Sequence, residues 1–217
     1  RDIYIYDQQH IWVGTRNGLS IFNTKTGQFD NHTHNAVNSS SLSDNTIWSF
    51  MQDNASGIWI GTFSGGLNVY YPSNANFNNI GERIGDRIGL SHLVANAISE
   101  DKTGGLWVGT YADGLIELQQ GLIKRHFHTT TGLPANEVRA TLPLADGTIW
   151  VGTALGASRI SAEGINTLGR EDGLPSPFIM ALYQSVDGRV FIGSGAGVAI
   201  LENDKLTPLN LTQFDDT

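Results

Sequence analysis

Short apolar runs of five or six residues, separated by polar turn residues, follow one another along the whole chain, and no segment carries a helical period. The pattern predicts strands throughout. Five of the runs share one phrase: Ile11-Trp12-Val13-Gly14-Thr15, Ile58-Trp59-Ile60-Gly61-Thr62, Leu106-Trp107-Val108-Gly109-Thr110, Ile149-Trp150-Val151-Gly152-Thr153 and Val190-Phe191-Ile192-Gly193-Ser194. Their aromatic residues are spaced by 47, 48, 43 and 41 positions. A second signature follows each phrase: Gly18-Leu19, Gly66-Leu67, Gly114-Leu115, Gly156-Ala157 and Gly197-Val198. A third precedes four of them, a leucine seventeen residues before the aromatic: Leu42, Leu90, Leu133 and Leu174. A fixed period of this length defines the architecture before any single element does.

The second copy resolves into four strand-like runs, at 46–52, 57–62, 67–71 and, more weakly, 76–80. Four such strands with their turns need about 40 to 45 residues. The expected fold is therefore all-β, a β-propeller of four-stranded antiparallel blades in one segment, with approximate blades 1–35, 36–84, 85–130, 131–170 and 171–217. Between the first and second strands stand Asp53 to Gly57, Asp101 to Gly104, Asp146-Gly147 and Asp187-Gly188, which predict tight hairpins of type I′. The first copy lacks its leading leucine, so the chain is expected to begin inside a repeat.

Positions that repeat serve what every blade needs; positions that differ are free for a site. The aromatic of the phrase is expected to fill the space between blades, and its glycine to let a neighbour approach closely. Six residues after the leucine, on the strand expected to line the central channel, stand Trp48, Asn96, Arg139 and Met180. Just after the phrase, on loops expected to open at the same mouth, stand Arg16, Phe63, Tyr111 with Asp113, Leu155 and Ala196. Arg16, Trp48, Phe63, Asn96, Tyr111, Asp113 and Arg139 combine charge with aromatic planes, as a pocket for a small polar ligand or a sugar does. The plainer alternative is that they are ordinary solvated loop and channel side chains.

Composition narrows the function further. Of 217 residues 26 are glycine, without a collagen period, and 17 of these fall at recurring positions of the repeat. The net charge of −8, from 21 acidic and 13 basic residues without blocks, excludes a nucleic-acid partner and an anionic membrane surface. No apolar stretch approaches a membrane span, so no direct membrane contact is expected of this segment. The absence of cysteine removes disulfides, thiol catalysis and cysteine-bound metal. Arg1 opens the chain without a Met or a signal core, as in a processed or excised piece.

Chemistry is sparse. His32-Thr33-His34 and His126-Phe127-His128 each place two imidazoles on one side of a strand, but no third ligand accompanies them, so no metal or other cofactor is expected. Glu100, Asp101, Asp113 and Glu137 offer carboxylates near the channel strands, and paired acids would have to meet at ~5 Å or ~6.5–9.5 Å to hydrolyse a glycoside. His92 and Glu137 are the best candidates for an enzymatic alternative.

The stretch from Ile98 to Leu115, Ile-Ser-Glu-Asp-Lys-Thr-Gly-Gly-Leu-Trp-Val-Gly-Thr-Tyr-Ala-Asp-Gly-Leu, resembles the two-component regulator propeller repeat, and the resemblance extends over essentially the whole chain. It implies seven-bladed propellers in the periplasmic part of bacterial sensors, joined through a membrane helix to a histidine kinase or diguanylate cyclase. It also implies sensing of carbohydrate breakdown products, hence a module that binds a small molecule such as an oligosaccharide without turnover. No ligand residue carries over, because the shared motif is framework. The alternative is a propeller enzyme, similar to streptogramin lyases or glycan-degrading. Five repeats are fewer than seven, which marks a fragment whose open blade faces would invite a homodimer. Leu211 stands eighteen residues before Trp12 across joined termini, a spacing that would also let five repeats close into a small ring.

Overall fold

The computed structural model describes residues 2–73, 76–80, 94–120 and 122–209. Leu90, His92 and Leu211 lie outside the described residues. Among the described residues, twenty strands form five separate four-stranded sheets, each an antiparallel meander in chain order. Blade 1 holds β1 (Ile3–Ile5), β2 (His10–Gly14), β3 (Leu19–Asn23) and β4 (Phe29–His32). Blade 2 holds β5 (Ile47–Gln52), β6 (Ile58–Thr62), β7 (Leu67–Tyr70) and β8 (Phe77–Asn79). Blade 3 holds β9 (Ala95–Glu100), β10 (Leu106–Thr110), β11 (Leu115–Gln119) and β12 (Leu122–Phe127). Blade 4 holds β13 (Val138–Pro143), β14 (Ile149–Thr153), β15 (Gly156–Ser161) and β16 (Gly164–Leu168). Blade 5 holds β17 (Ile179–Gln184), β18 (Val190–Ser194), β19 (Gly197–Glu202) and β20 (Lys205–Pro208). Each phrase is the second strand of a blade. Among the described residues no helix is long and apolar enough to cross a membrane.

The core lies between blades, in four clusters of one design. Trp12 and Leu19 meet Leu42, Ile47, Ile58 and Ile60 of the next blade. Trp59 and Leu67 meet Ala95 and Val108. Trp107 and Leu115 meet Leu133, Val138, Ile149 and Val151. Trp150 and Ala157 meet Leu174, Ile179, Val190 and Ile192. Both faces of a second strand are thereby covered, which is why it reads as an unbroken apolar run rather than an alternation. The leucine upstream of each phrase is a contact of the same interface, buried at Leu42, Leu133 and Leu174. The phrase glycine is where the next blade comes closest: a Cβ on Gly109 would lie 2.5 Å from Val138 Cγ1, and one on Gly152 2.6 Å from Ile179 Cγ2.

The hairpins between first and second strands differ from the expected type I′ geometry, which needs positive φ at both central residues. In blades 2 to 5 only one residue of the turn is left-handed: Ser56, Gly104, Gly147 and Gly188. A four-residue turn, closed by the bonds Ser56 N–H to Asp53 O, Gly104 N–H to Asp101 O, Gly147 N–H to Leu144 O and Gly188 N–H to Ser185 O, precedes it. The aspartates explain the preference. Asp53 Oδ1 accepts the N–H groups of Ala55 and Gly57, and Asp101 Oδ1 those of Thr103 and Gly105, which holds the turn in this right-handed form. Their second oxygens take the indole N–H of Trp59 at 2.7 Å and of Trp107 at 2.9 Å.

Candidate functional site

The row Trp48, Asn96, Arg139 and Met180 owes its position to a β-bulge in the innermost strand of each of blades 2 to 5. In blade 2, Ile47 pairs with Thr62 but Ser49 with Gly61, so the register skips Trp48. The same skip falls at Asn96, between the pairs Ala95–Thr110 and Ala97–Gly109. It recurs at Arg139, between Val138–Thr153 and Ala140–Gly152, and at Met180, between Ile179–Ser194 and Ala181–Gly193. A bulge re-aims the extra side chain and releases it from the alternation of the strand.

The loops after the phrase are tied to the same strands. The N–H groups of Phe63, Tyr111, Ala154 and Gly195 bond to the carbonyls of Thr46, Val94, Glu137 and Phe178, each two residues before a bulge. Loop tip and bulged residue therefore belong to one end of the molecule. Phe63 and Tyr111 are exposed there, and Phe63 lies with its ring centroid 6.3 Å from that of Trp48. Arg139 donates to the Glu137 carboxylate and lays its guanidinium carbon 4.3 Å from the centre of the Phe178 ring. Its Nε is buried without a hydrogen-bond partner. Arg16 is exposed beside Thr15, whose carbonyl accepts the N–H of Ile47, one residue before Trp48.

Asn96 donates to the carbonyl of Val138 at 3.1 Å, bridging blades 3 and 4. The backbone carbonyl of Asp113 is bonded to His126 Nε2, which ties its loop to the outermost strand of the blade. Phe178, which packs on Arg139, is a residue that counting from the leucine misses. Its signal is a second non-repeating row two residues before the bulge: Thr46, Val94, Glu137 and Phe178.

The candidate carboxylates separate to opposite ends of the strands. Glu100 accepts the N–H of Asn54 at 2.8 Å, at the hairpin end. Asp101 is there too. Burial works to raise its pKa, but hydrogen bonds from Thr103, Trp107 and the Gly105 N–H outweigh that and hold the carboxyl below the ordinary carboxylate range. Only Asp113 and Glu137 share the loop end. His34 lies beyond the end of β4 with its Nδ1 on Leu42 O, while His128 Nδ1 pairs with Thr130 Oγ1. Among the described residues no group of three or more His, Cys, Asp or Glu is placed to hold a metal ion.

No curated protein matches the sequence. Among solved structures, the extracellular domain of the putative hybrid two component system BT3049 from B. thetaiotaomicron matches with a TM-score of 0.80 at 21% identity. The match covers 97% of this chain and 28% of that one. The corresponding domain of BT4673 from the same organism matches with a TM-score of 0.79 at 20% identity, over 98% of this chain and 31% of that one. The chain thus spans less than a third of these domains. Virginiamycin B lyase from Staphylococcus aureus is similar with a TM-score of 0.70 at 13% identity, over 97% of this chain and 69% of that one. At such identities these likenesses speak for the propeller fold alone. Residues 41–64, 89–112 and 132–154, each ending just after one copy of the phrase, match the model of a family described as Two component regulator propeller, and these three repeats carry that family's pattern.

Proposed function

We propose that the chain is a segment of an extracytoplasmic sensing propeller of a bacterial signal-transduction receptor, and that it binds a small molecule such as an oligosaccharide without turning it over. The observation that carries this reading is the row of bulged residues beside exposed loop aromatics. Four blades present four different side chains at one structural position, and Trp48, Phe63, Tyr111 and Arg139 supply the stacking planes and charge that hold a polar ring. The lyase alternative has less support: Glu100 and Asp101 lie at the far end from Asp113 and Glu137, and Glu137 is engaged with Arg139. Binding would signal by favouring one arrangement of the receptor over another, which requires that the ligand bind the two unequally.

Titration calorimetry with a panel of neutral and acidic oligosaccharides tests the reading. A ligand should bind the wild-type chain, bind Trp48→Ala and Arg139→Ala at least several-fold more weakly, and be recovered intact by chromatography. Equal binding by both variants, or cleavage of the ligand, overturns it. The apolar faces left open on blades 1 and 5 fit further blades of the same repeat. A second copy docked there is the competing occupant, and sedimentation analysis of the chain distinguishes the two.

A further inference from the structure

The two His-x-His pairs look alike in sequence, each at the end of an outermost strand. The structure sets them apart. His32 and His34 are drawn to different elements: His32 Nε2 lies 3.2 Å from Asp30 Oδ2 with its ring centroid 5.5 Å from that of Phe77, and His34 Nδ1 lies 2.7 Å from the carbonyl of Leu42. At the end of β12 the rings of His126 and His128 instead meet each other, with centroids 4.9 Å apart and planes at 57°. Arg125 and Phe127 lie against Trp107, so the alternation of the strand puts His126 on the opposite face, away from the cations Lys124 and Arg125 that hold Glu117. Both histidines are half-buried.

The hydrogen bonds decide which nitrogens are left for a ligand. The carbonyl of Asp113 can only accept, so its bond to His126 Nε2 fixes the hydrogen there and leaves the lone pair on Nδ1. His128 Nδ1 meets Thr130 Oγ1 at 2.9 Å, a hydroxyl that can accept from Nδ1–H and so leave the lone pair on Nε2. A metal-bound histidine is held in this way, its other nitrogen donating to an outer acceptor that fixes the tautomer and the ring. The spacing fits as well. With metal–nitrogen bonds of ~2.0–2.1 Å, and each nitrogen about 1.1 Å from its ring centre, two imidazoles on one ion have centroids about 4.5–5.3 Å apart for angles between a right angle and the tetrahedral one.

We propose that His126 and His128 form a two-imidazole chelate for a divalent transition ion, bound through His126 Nδ1 and His128 Nε2, with water or an incoming ligand in the remaining positions. Two neutral nitrogen donors suit Zn²⁺, Ni²⁺ and Cu²⁺. Among the described residues no carboxylate joins the pair as a third protein ligand, so the site rejects Ca²⁺ and Mg²⁺, which take oxygen ligands.

Titration of the intact chain with ZnCl₂, followed in a long-range ¹H–¹⁵N spectrum of the imidazoles with signals assigned by single His→Ala variants, tests the site. The His126 and His128 signals should shift saturably, the first at Nδ1 and the second at Nε2, while those of His10, His32 and His34 stay in place. Thr130→Val, which removes only an outer partner, should weaken Zn²⁺ binding roughly tenfold, and His126→Ala and His128→Ala should each weaken it by more than that. His32→Ala should bind as wild type, and CaCl₂ should shift neither ring. The proposal fails if Zn²⁺ moves neither signal saturably, if His32 and His34 respond at the same concentrations, or if Ca²⁺ shifts the pair as Zn²⁺ does. It fails equally if His128→Ala, a change beyond the end of the strand, binds as wild type.

Discussion

The same phrase meets two environments in this molecule. In blades 2 and 4 its first apolar pair, Ile58 with Ile60 and Ile149 with Val151, is buried to within 2% exposure under the tryptophan of the preceding blade. In blade 1 the corresponding Ile11 and Val13 are half-buried, and Ile3 and Ile5 on the same face are 66% and 72% exposed. At the other end Phe191 is half-buried where the four tryptophans are covered, beside an exposed Tyr183. The glycines tell the same story. A Cβ on Gly109 would strike the next blade, but one on Gly193 would find its nearest atom, Ala181 Cβ of its own blade, at 3.4 Å. The residues are written for a neighbour whether or not one is present, so stability resides in blade–blade contacts rather than in the blades.

The largest test of this contrast is the aromatic itself. Trp107→Ala should cost about 3–5 kcal/mol in a denaturant titration, whereas Phe191→Ala should cost about 1 kcal/mol, since much of that ring already meets water. Next comes the interior ion pair of blade 3. Glu117, fully buried across the sheet from Trp107, is held by Arg125 and by Lys124 Nζ at 3.1 Å, and the Arg125 guanidinium lies 4.8 Å from the Trp107 ring centre. Arg125→Met should cost about 2–3 kcal/mol, because it leaves a buried carboxylate with a single half-exposed partner. Glu117→Gln should cost less, because the two cations it releases can reach water.

Gly109→Ala should cost about 1–3 kcal/mol through overpacking against Val138, and Gly193→Ala at the open end about 0–0.5 kcal/mol; equal effects would break the comparison. The smallest effect is on acid stability. The folded-state pKa of Asp101 is depressed, so its contribution is complete above the ordinary carboxylate value of about 4 and is lost as pH falls below it. Asp101→Asn should lower stability by about 1 kcal/mol at neutral pH and flatten the fall of Tm at acid pH; an unchanged acid profile would contradict the assignment.

Much of this fold is legible from spacing. Burial on both faces forces the second strand of every blade to be apolar, so the period, the strand count and the packing duty of the tryptophans follow from residue types alone. The bulges are not legible in this way. Counting from the leucine finds Trp48, Asn96, Arg139 and Met180, but a bulge belongs to the pairing of two strands, and these four side chains share no chemistry that announces it. The hairpin expectation misses for a related reason: in blades 2 and 3 the side chain of Asp53 or Asp101 bonds N–H groups two and four residues onward and selects the right-handed turn. Nor does sequence say that the Asn96 side chain turns to Val138 or that His126 reaches the Asp113 carbonyl, since both depend on the neighbouring element.

The bulges also carry a lesson about divergence. A bulged residue has no partner opposite it in the ladder, so replacing it leaves every register pair of its blade in place. Under the proposed function, a codon change at position 48, 139 or 180 would rewrite what the loop end recognises while the scaffold that presents it is inherited intact. A receptor assembled from such blades would then acquire new specificities by single substitutions, one blade at a time.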